Sequence, residues 1–491
     1  MPLQNIKHVI VVMFENRSFD TMLGGLYSDG GSPRHFLPAS SAGQAFEGLK
    51  PGLSNPSKSG ATIPASMPAS NATLPDPDPE ETFANVHDQL FGNTSGATPM
   101  SGFVINYEST TTTDASQVMQ CHSPDQLKVL STLAREYAVC DAWFASVPSQ
   151  TWPNRAFAHA GTSNGHVDNG EPPDPFDWQV PTIFNVLSEV GASWAVYSDA
   201  LVAPSLTFTM FPKLWNANYK ANFQRFGAFV SACQNNTLPQ YSFIEPRFLL
   251  DPNDQHPPHD VYAGERFLYD IWNAISTSPA WPETLLVITY DEHGGTYDHV
   301  LPPANAVAPD AVSNPGDQNY AFDSFGVRVP AVVVSPWIAP GTVFRAADAT
   351  PYDHTSILAT LRDWLDIAPS DMLASKRIAA APTLEPLLTL DTPRVDLPVI
   401  AAPPATGFAA TSLARPLNDL QKSLVSGTAR RAGLDPAATL KSMLTRQHAL
   451  DFFQNLPGGN TPTGPTGSAK PTAPANPTPL DQDEDQADMT P

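Results

Sequence analysis

The chain has 491 residues, and 41% of them are hydrophobic, so it can bury the core of one large domain or of two ordinary ones. Its 26 basic and 49 acidic residues give a net charge of −23, which argues against binding to the phosphate backbone of nucleic acid. No stretch reaches the roughly 18 apolar residues that a membrane span requires, so any membrane contact is expected to be peripheral. The N-terminus lacks the pattern of a secretory signal, which predicts a cytoplasmic protein, export by a route other than Sec or Tat, or secretion after removal of a signal.

The first predicted element is a buried strand over residues 6–14, which form a run of β-branched and apolar residues. The strand ends at Glu15 and Asn16, so it delivers polar side chains at its C-terminal end, where open α/β sheets place their sites. Residues 30–80 are rich in Ser, Pro, Gly and Ala and show too little periodicity for a core element. This range is predicted to be a long insertion or a lid.

Helical spacing predicts a helix over residues 127–139, followed by a short strand or an extended segment over 138–147. The chain then enters a loop bounded by prolines that carries Thr151, Asn154 and Arg155. A hydroxyl close to an amide and a guanidinium suits a nucleophile that attacks phosphorus, with Asn154 and Arg155 binding the phosphate. A threonine in such a loop is ordinarily a turn-capping residue, so this interpretation depends on the rest of the site.

The middle of the chain alternates apolar strands with helical patterns. Helices are predicted at residues 183–189, 264–275 and 356–365. Strands are predicted at residues 193–197, 285–290 and 331–334. This alternation is typical of an α/β fold with a mainly parallel central sheet flanked by helices.

The C-terminal part of the chain differs in composition from the rest. Residues 1–400 are predicted to form the main domain, and residues 401–456 a helical extension that is broken near 433–436. Residues 457–491 are rich in proline and end in an acidic run, so they are predicted to form a disordered tail.

Carboxylates and an amide follow two of the predicted strands, at Glu15, Asn16, Asp291 and Glu292. Taken singly, each acid is more often a helix cap or a salt-bridge partner. Taken together, they indicate a site for one hard divalent cation, because charge buried at a strand end needs compensation. Asp353 is a further acid that could join them. The sequence leaves the identity of the cation open, and both Ca²⁺ and Zn²⁺ are compatible with it.

Histidines cluster in the second half of the sequence. Four of them stand beside an acid, which can orient the ring or raise its pKa and so prepare it to bind phosphate or to protonate a leaving group. The alternative is that one or two are ordinary surface histidines in proline-rich loops, and for His256 the two interpretations are evenly balanced. The members of this group are His256, His259, His293, His299 and His354.

Four segments, in order along the chain, resemble the motifs of the phosphoesterase family that holds non-specific phospholipases C and bacterial acid phosphatases. They are residues 6–20 (IKHVIVVMFENRSFD), 146–155 (SVPSQTWPNR), 289–299 (TYDEHGGTYDH) and 353–356 (DHTS). The resemblance implies an alkaline phosphatase-like α/β fold, one divalent metal and a hydroxyl nucleophile, which is Thr151. The metal ligands that it implies are Glu15, Asn16, Thr151, Asp291 and Glu292. The residues that it implies for phosphoryl binding or proton donation are His259, His293 and His354, together with His256 and His122.

The sequence thus predicts a metal-dependent phosphoesterase that cleaves phospholipids in the manner of a phospholipase C, through a phosphothreonine at Thr151. An acid phosphatase that acts on phosphomonoesters would use the same residues, and a non-catalytic metal- or lipid-binding protein is an alternative of another class. The segment Asp78-Pro79-Glu80-Glu81 departs from the Asp-Pro-x-His of many relatives, so a headgroup preference cannot be transferred. The oligomeric state is left open.

Overall fold

The computed structural model describes residues 2–92, 98–170, 178–404 and 413–456. The strands in these ranges are β1 (His8–Phe14), β2 (His35–Leu37), β3 (Ser54–Pro56), β4 (Thr62–Pro64), β5 (Ala138–Cys140), β6 (Trp194–Ser198), β7 (Phe223–Arg225), β8 (Tyr241–Glu245), β9 (Thr284–Tyr290), β10 (Ala331–Val334) and β11 (Thr342–Phe344). Nine of them form one sheet in the order β2-β11-β5-β10-β9-β1-β8-β6-β7, while β3 and β4 form a separate hairpin. Only β10 runs antiparallel to its neighbours in this sheet. The predicted α/β fold with a mainly parallel central sheet is confirmed.

The helices of the described residues flank the sheet. They are α1 (Phe19–Met22), α2 (Phe83–Phe91), α3 (Phe103–Tyr107), α4 (Lys128–Glu136), α5 (Thr151–Ala160), α6 (Ile183–Glu189), α7 (Leu206–Met210), α8 (Phe226–Gln234), α9 (Val261–Ser276), α10 (Thr355–Trp364), α11 (Lys376–Ala380), α12 (Asp419–Arg431), α13 (Pro436–Lys441) and α14 (Arg446–Gln454). The last three occupy the range predicted to be helical, with the break where glycine and proline interrupt the pattern. No helix in the described ranges is long and apolar enough to cross a bilayer.

The centre of the sheet is formed by β1 and β9, which lie side by side in parallel. Both strands are continuous runs of apolar residues, and apart from His8 at the start of β1 every residue in them is buried. Continuous burial is what a parallel strand covered on both faces requires. The two strands end at the same edge, with Phe14 opposite Tyr290.

The structure adds strands that the sequence did not predict. The interior strand β8 was missed, and within 138–147, predicted to be a short strand or an extended segment, the strand is β5. The range 30–80, predicted to be an insertion or a lid without a core element, contributes the partly exposed edge strand β2 beside β11. The predicted tail, residues 457–491, lies outside the described residues.

The helical extension packs beside the C-terminal edge of the sheet through the start of α12. Asn418 and Gln421 form a capping box there, in which each side chain accepts from the backbone N–H of the other residue. The Gln421 side chain also donates to the Phe248 carbonyl oxygen at 2.7 Å. This contact fixes Asp419, whose carboxylate accepts from the Gln150 side chain at 3.4 Å. The extension thereby reaches the residue next to Thr151.

Candidate active site

The candidate site is built where β1 and β9 end. Because these neighbouring strands are parallel and in register, Glu15 and Asn16 leave the sheet beside Asp291 and Glu292. The Asn16 N–H donates to Asp291 Oδ1 at 2.9 Å, which ties the two strand ends together. All four side chains are fully buried. The structure thus brings together the polar strand ends that the sequence predicted.

The turn after Glu292 is shaped by its contact with Asn16. Asn16 has a φ of 54° and Gly294 a φ of 61°, both in the left-handed region. A side chain at Gly294 would place its Cβ 2.3 Å from the Asn16 carbonyl oxygen. Gly294 is therefore required for the close approach of two backbone segments of the site.

Thr151 begins helix α5, so the expected proline-bounded loop is in fact a helix N-terminus. Pro153 is tolerated there because the first turn of a helix needs no N–H at that position. The Thr151 hydroxyl lies 3.2 Å from Glu15 Oε2 and 3.3 Å from Asn16 Oδ1, both of which accept its hydrogen bond. The N-terminal end of a helix carries a partial positive charge, which favours a phosphate at this hydroxyl.

Asn154 and Arg155, predicted to bind phosphate, form hydrogen bonds with other parts of the site, and Arg155 Nη1 is buried without a partner among the described residues. The Asn154 amide accepts from the Val147 N–H and donates to the carbonyl oxygens of Val147, Ser149 and Gln150. It is therefore saturated by the turn that leads into Thr151. Arg155 donates through Nε to Glu15 Oε1 at 2.9 Å and through Nη2 to the Met13 carbonyl.

The carboxylates at the strand ends are buried without enough positive charge or hydrogen-bond donors around them, which suits a bound cation. Burial raises the pKa of Glu15 well above its ordinary value despite the Arg155 guanidinium, and the Asp291 carboxylate raises it further. Burial also raises the pKa of Glu292, again helped by Asp291. Two buried oxygens, Asp291 Oδ2 and Glu292 Oε1, have no hydrogen-bond partner among the described residues. Buried carboxylate oxygens next to an amide and a hydroxyl oxygen form a donor set that suits a divalent cation.

Within the described ranges, two groups of three acids or histidines have ligand atoms that converge within 4.8 Å. They are Asp20, Asp298 and His299, and Asp78, Glu81 and His256. Neither group contains Glu15, Asp291 or Glu292. A cation at the strand ends would therefore be bound by the amide oxygen of Asn16 and the hydroxyl oxygen of Thr151 as well as by carboxylates.

His293 and His354 have both ring nitrogens engaged by the protein. His354 Nε2 donates to the Asp291 carbonyl oxygen at 2.6 Å, while its Nδ1 accepts from the Trp143 indole N–H at 3.4 Å. His293 Nε2 lies 2.8 Å from Gln89 Oε1, and its Nδ1 lies 3.3 Å from Glu292 Oε2. Burial lowers the pKa of His293 to about 3. Both histidines orient acids of the strand end.

His259, His256 and His122 each have a ring nitrogen without a partner among the described residues. His259 Nδ1 lies 2.6 Å from Asp254 Oδ1, and Nε2 is the free atom. Burial lowers the pKa of His259 well below its ordinary value, and it lowers that of His256 to about 4 and that of His122 to about 3. The segment that holds His256 and His259 lies beside the strand ends, because the Glu15 N–H donates to the Asp254 carbonyl at 3.0 Å.

His299, predicted to bind phosphate, belongs to a separate buried ion network. Its Nδ1 lies 2.6 Å from Asp20 Oδ2 and its Nε2 lies 3.0 Å from Glu47 Oε1. Arg328 crosses the same network, donating to Asp20 and Asp298 at 3.0 Å each and stacking on the Phe19 ring. The hydrogen bonds of this ring serve the network and do not involve the residues around Thr151.

Three further residues of the neighbourhood, Asp254, Gln89 and Arg17, were not identified from the sequence, and a fourth, Asp353, has partners of its own. Asp254 orients His259 and Gln89 orients His293, yet neither has a sequence signal beyond its type. Arg17 is 1% exposed and has one guanidinium nitrogen without a partner in the described residues, and its place directly after Asn16 could have indicated a role. Asp353, the further acid, is held by Ser146, Thr355 and Arg377.

Among solved structures, the chain is similar to the phosphonate monoester hydrolase of Agrobacterium radiobacter, with 12% identity over 78% of this chain and 77% of that one. The TM-score of this pair is 0.33. A score of this size does not establish a shared fold.

Comparison with known sequences gives closer matches. Non-specific phospholipase C1 of Arabidopsis thaliana is 37% identical over 80% of this chain and 73% of its own length, and non-specific phospholipase C3 of the same plant is 36% identical over 80% and 75%. Phospholipase C B of Mycobacterium tuberculosis is 28% identical over 77% and 79%. A sequence model described as the Phosphoesterase family matches residues 6–368. The chain therefore belongs to the Phosphoesterase family and is a hydrolase of phosphoric esters.

Proposed function

We propose that this chain hydrolyses phospholipids in the manner of a phospholipase C, with the help of a divalent metal and through a covalent phosphothreonine at Thr151. The observation that carries the proposal is the position of the Thr151 hydroxyl, at the N-terminus of α5 and within 3.2–3.3 Å of Glu15 and Asn16. The choice of phospholipid as substrate is supported by the plant and mycobacterial relatives, which are named as phospholipases C.

One divalent cation would be held by Glu15, Asn16, Thr151, Asp291 and Glu292. A donor set made only of oxygens favours a hard cation such as Ca²⁺, and Zn²⁺ also accepts carboxylates. When bound, the cation supplies positive charge that lowers the pKa of the nucleophilic hydroxyl and stabilises the negative charge of the transition state.

In the first step, Thr151 Oγ1 attacks phosphorus while its proton leaves along the hydrogen bond to Glu15 Oε2. The bond from phosphorus to the diacylglycerol oxygen breaks, and that oxygen takes a proton from His259 Nε2. Burial raises the pKa of Asp254 to about 7, so its protonated carboxyl donates to Nδ1 of the neutral ring and leaves the ring proton on Nε2. In the second step, water attacks the phosphothreonine and gives a proton to His259 Nε2. The bond from phosphorus to Thr151 Oγ1 breaks, Oγ1 takes its proton back from Glu15 Oε2, and the phosphorylated headgroup leaves. Asn154 and Arg155 act as positioning residues, the first on the turn before Thr151 and the second on Glu15.

The test is a substrate panel, with and without chelator. It contains p-nitrophenyl phosphate and vesicles of phosphatidylcholine, phosphatidylethanolamine or sphingomyelin. We expect chelator-sensitive release of diacylglycerol from the glycerophospholipid vesicles. Release of phosphate from the aryl ester alone would identify an acid phosphatase, and absence of turnover on every substrate would support a binding protein.

Asp291→Asn is expected to lower bound metal together with the rate, because the oxygen-rich site loses charge while the side chain keeps its shape. Elemental analysis of the purified variant checks the metal, and the substrate panel checks the rate. The matched control is Asp310→Asn, which removes an acid held by Thr162 and Ser313 outside the site. Full metal occupancy in Asp291→Asn would remove this residue from the set of ligands.

Asn154→Ala is expected to lower kcat about 10²-fold, which is the order of loss that a displaced reacting group causes. The alanine removes the hydrogen bonds between the Asn154 side chain and the turn before Thr151, whereas the metal ligands stay in place. Steady-state kinetics should therefore show a reduced kcat, while elemental analysis should show that the variant retains its metal. If inorganic phosphate binding weakened while kcat stayed the same, Asn154 would be a phosphate ligand after all.

A further inference from the structure

A second group of potential ligands lies beside the candidate active site. It consists of Asp78, Glu81 and His256, and we call it the 78–81–256 cluster. One carboxylate oxygen of each acid and one ring nitrogen of the histidine all lie within 4.8 Å of one another. His256 Nδ1 is 3.5 Å from Asp78 Oδ1 and 2.7 Å from the Pro257 carbonyl oxygen. The two acids come from the segment before α2, and the histidine comes from the segment that also holds Asp254 and His259.

The polar atoms of this cluster are not satisfied by the described protein. Glu81 is 3% exposed and His256 is fully buried. Asp78 Oδ1 and His256 Nε2 are buried without a hydrogen-bond partner among the described residues. A buried polar atom without a partner costs about 1–3 kcal/mol, and more when it is charged, so two of them in one group of three residues indicate an absent ligand.

In the other group of three, Asp20, Asp298 and His299, the acids and the histidine ring find hydrogen-bond partners within the protein. Arg328 supplies two charged hydrogen bonds to its acids, and both ring nitrogens of His299 have carboxylate partners. The 78–81–256 cluster has no such arginine in hydrogen-bonding contact with its acids among the described residues. The protein therefore neutralises the acids of the first group with Arg328, whereas it supplies no such partner to the acids of the 78–81–256 cluster.

The charges around the 78–81–256 cluster are predominantly negative. Burial raises the pKa of both Asp78 and Glu81 well above the ordinary range, and nearby carboxylates raise them further. The acids that act on the two are Glu80, Glu292 and Asp419, and the bases that act on Asp78 are Arg17 and Arg446. Additional positive charge at this point would remove the repulsion among the carboxylates.

We propose that Asp78, Glu81 and His256 bind a second divalent cation, of the Zn²⁺ or Mn²⁺ type, next to the strand-end site. Two carboxylates and one imidazole form a mixed oxygen and nitrogen donor set, which these ions accept and which Ca²⁺ does not favour. A quaternary ammonium headgroup would also be attracted by the acids, but it has no N–H to donate to the lone pair of a histidine. The proposal does not depend on the proposed function, since binding of the ion is measured without turnover.

The experiment measures Mn²⁺ bound to the metal-free full chain, by electron paramagnetic resonance of the free ion, in the presence of excess Ca²⁺. Excess Ca²⁺ competes with Mn²⁺ for the oxygen-rich strand ends, and the Asp291→Asn variant tests whether any of the bound Mn²⁺ lies there. We expect the wild-type chain to bind one equivalent under these conditions. Glu81→Gln and Asp78→Asn should weaken that binding by at least about 10–100-fold, the loss that even outer-shell partners of a metal cause when mutated.

Two control variants test whether the bound Mn²⁺ lies in the 78–81–256 cluster. One removes a neighbouring negative charge, and the other changes a residue of the strand ends. Glu80→Gln removes the same charge from the neighbouring, exposed position and should leave Mn²⁺ binding unchanged. Asp291→Asn should also retain it. Circular dichroism and thermal melting verify that each variant folds. The proposal is overturned if the wild-type chain binds no Mn²⁺ in excess Ca²⁺, if Glu80→Gln and Glu81→Gln behave alike, or if tetramethylammonium displaces the ion completely.

Discussion

Thr151→Ala is expected to abolish phosphoester hydrolysis and to leave the fold intact. Removing the nucleophile of a covalent mechanism typically costs about 10⁶-fold in kcat. The alanine fits the space of the threonine, and the two lost hydrogen bonds, to Glu15 and Asn16, are worth about 1 kcal/mol each. Turnover on the substrate panel and a denaturant unfolding curve measure the two effects separately.

The matched control for this prediction is Thr151→Ser, which keeps the hydroxyl at the start of α5 and removes only a methyl group. We expect the serine variant to retain activity and to form a phosphoserine when the reaction is quenched with acid. Mass spectrometry of the quenched wild-type chain should place the phosphoryl group on Thr151. More than a few per cent of wild-type activity in Thr151→Ala would exclude a covalent role for this residue.

Arg328→Leu is expected to lower the free energy of unfolding by about 3–5 kcal/mol, which is the loss caused by removing one partner of a buried ion pair. The Arg328 side chain is fully buried between Asp20 and Asp298, and it also donates to the carbonyl oxygens of Glu47 and Asp141. Leucine fills part of the volume but leaves two carboxylates facing each other. Denaturant unfolding measures the loss.

Lys7→Leu is the control for Arg328→Leu. Lys7 pairs with Glu283 at the surface, where the two side chains are 64% and 40% exposed, and such pairs contribute about 0–1 kcal/mol. We therefore expect a small change in this variant. If Arg328→Leu cost no more than Lys7→Leu, the buried network around His299 would not be a source of stability.

The convergence of Glu15 and Asn16 with Asp291 could be predicted because it follows from two apolar runs that become parallel strands. The hydrogen-bond partners of the histidines could not be predicted in this way. His354 is oriented by Trp143 and His293 by Gln89, residues that are 211 and 204 positions away in the chain. Only the folded structure shows which ring nitrogens the protein uses and which it leaves free.

Two elements were missed for local reasons. Strand β8 has only five residues between Pro239 and Pro246, and it includes Ser242 and Glu245, so its apolar signal is weak. The start of α5 was interpreted as a loop because Pro148 and Pro153 bracket Thr151. Proline in the first turn is compatible with a helix, so the pattern alone does not decide between a loop and a helix start.

The position of β1 at the centre of the sheet has a consequence for synthesis on the ribosome. Its neighbours β8 and β9 begin only at Tyr241 and Thr284, so β1 is translated long before either partner exists. At 5–20 residues per second, the wait for β8 lasts roughly 10–50 s. During that time an apolar strand has unpaired edges, which makes nascent chains that stop short of β8 prone to aggregation and dependent on chaperones. Fragments that end before residue 241 should therefore be recovered as aggregates, whereas the full chain supplies both neighbours of β1.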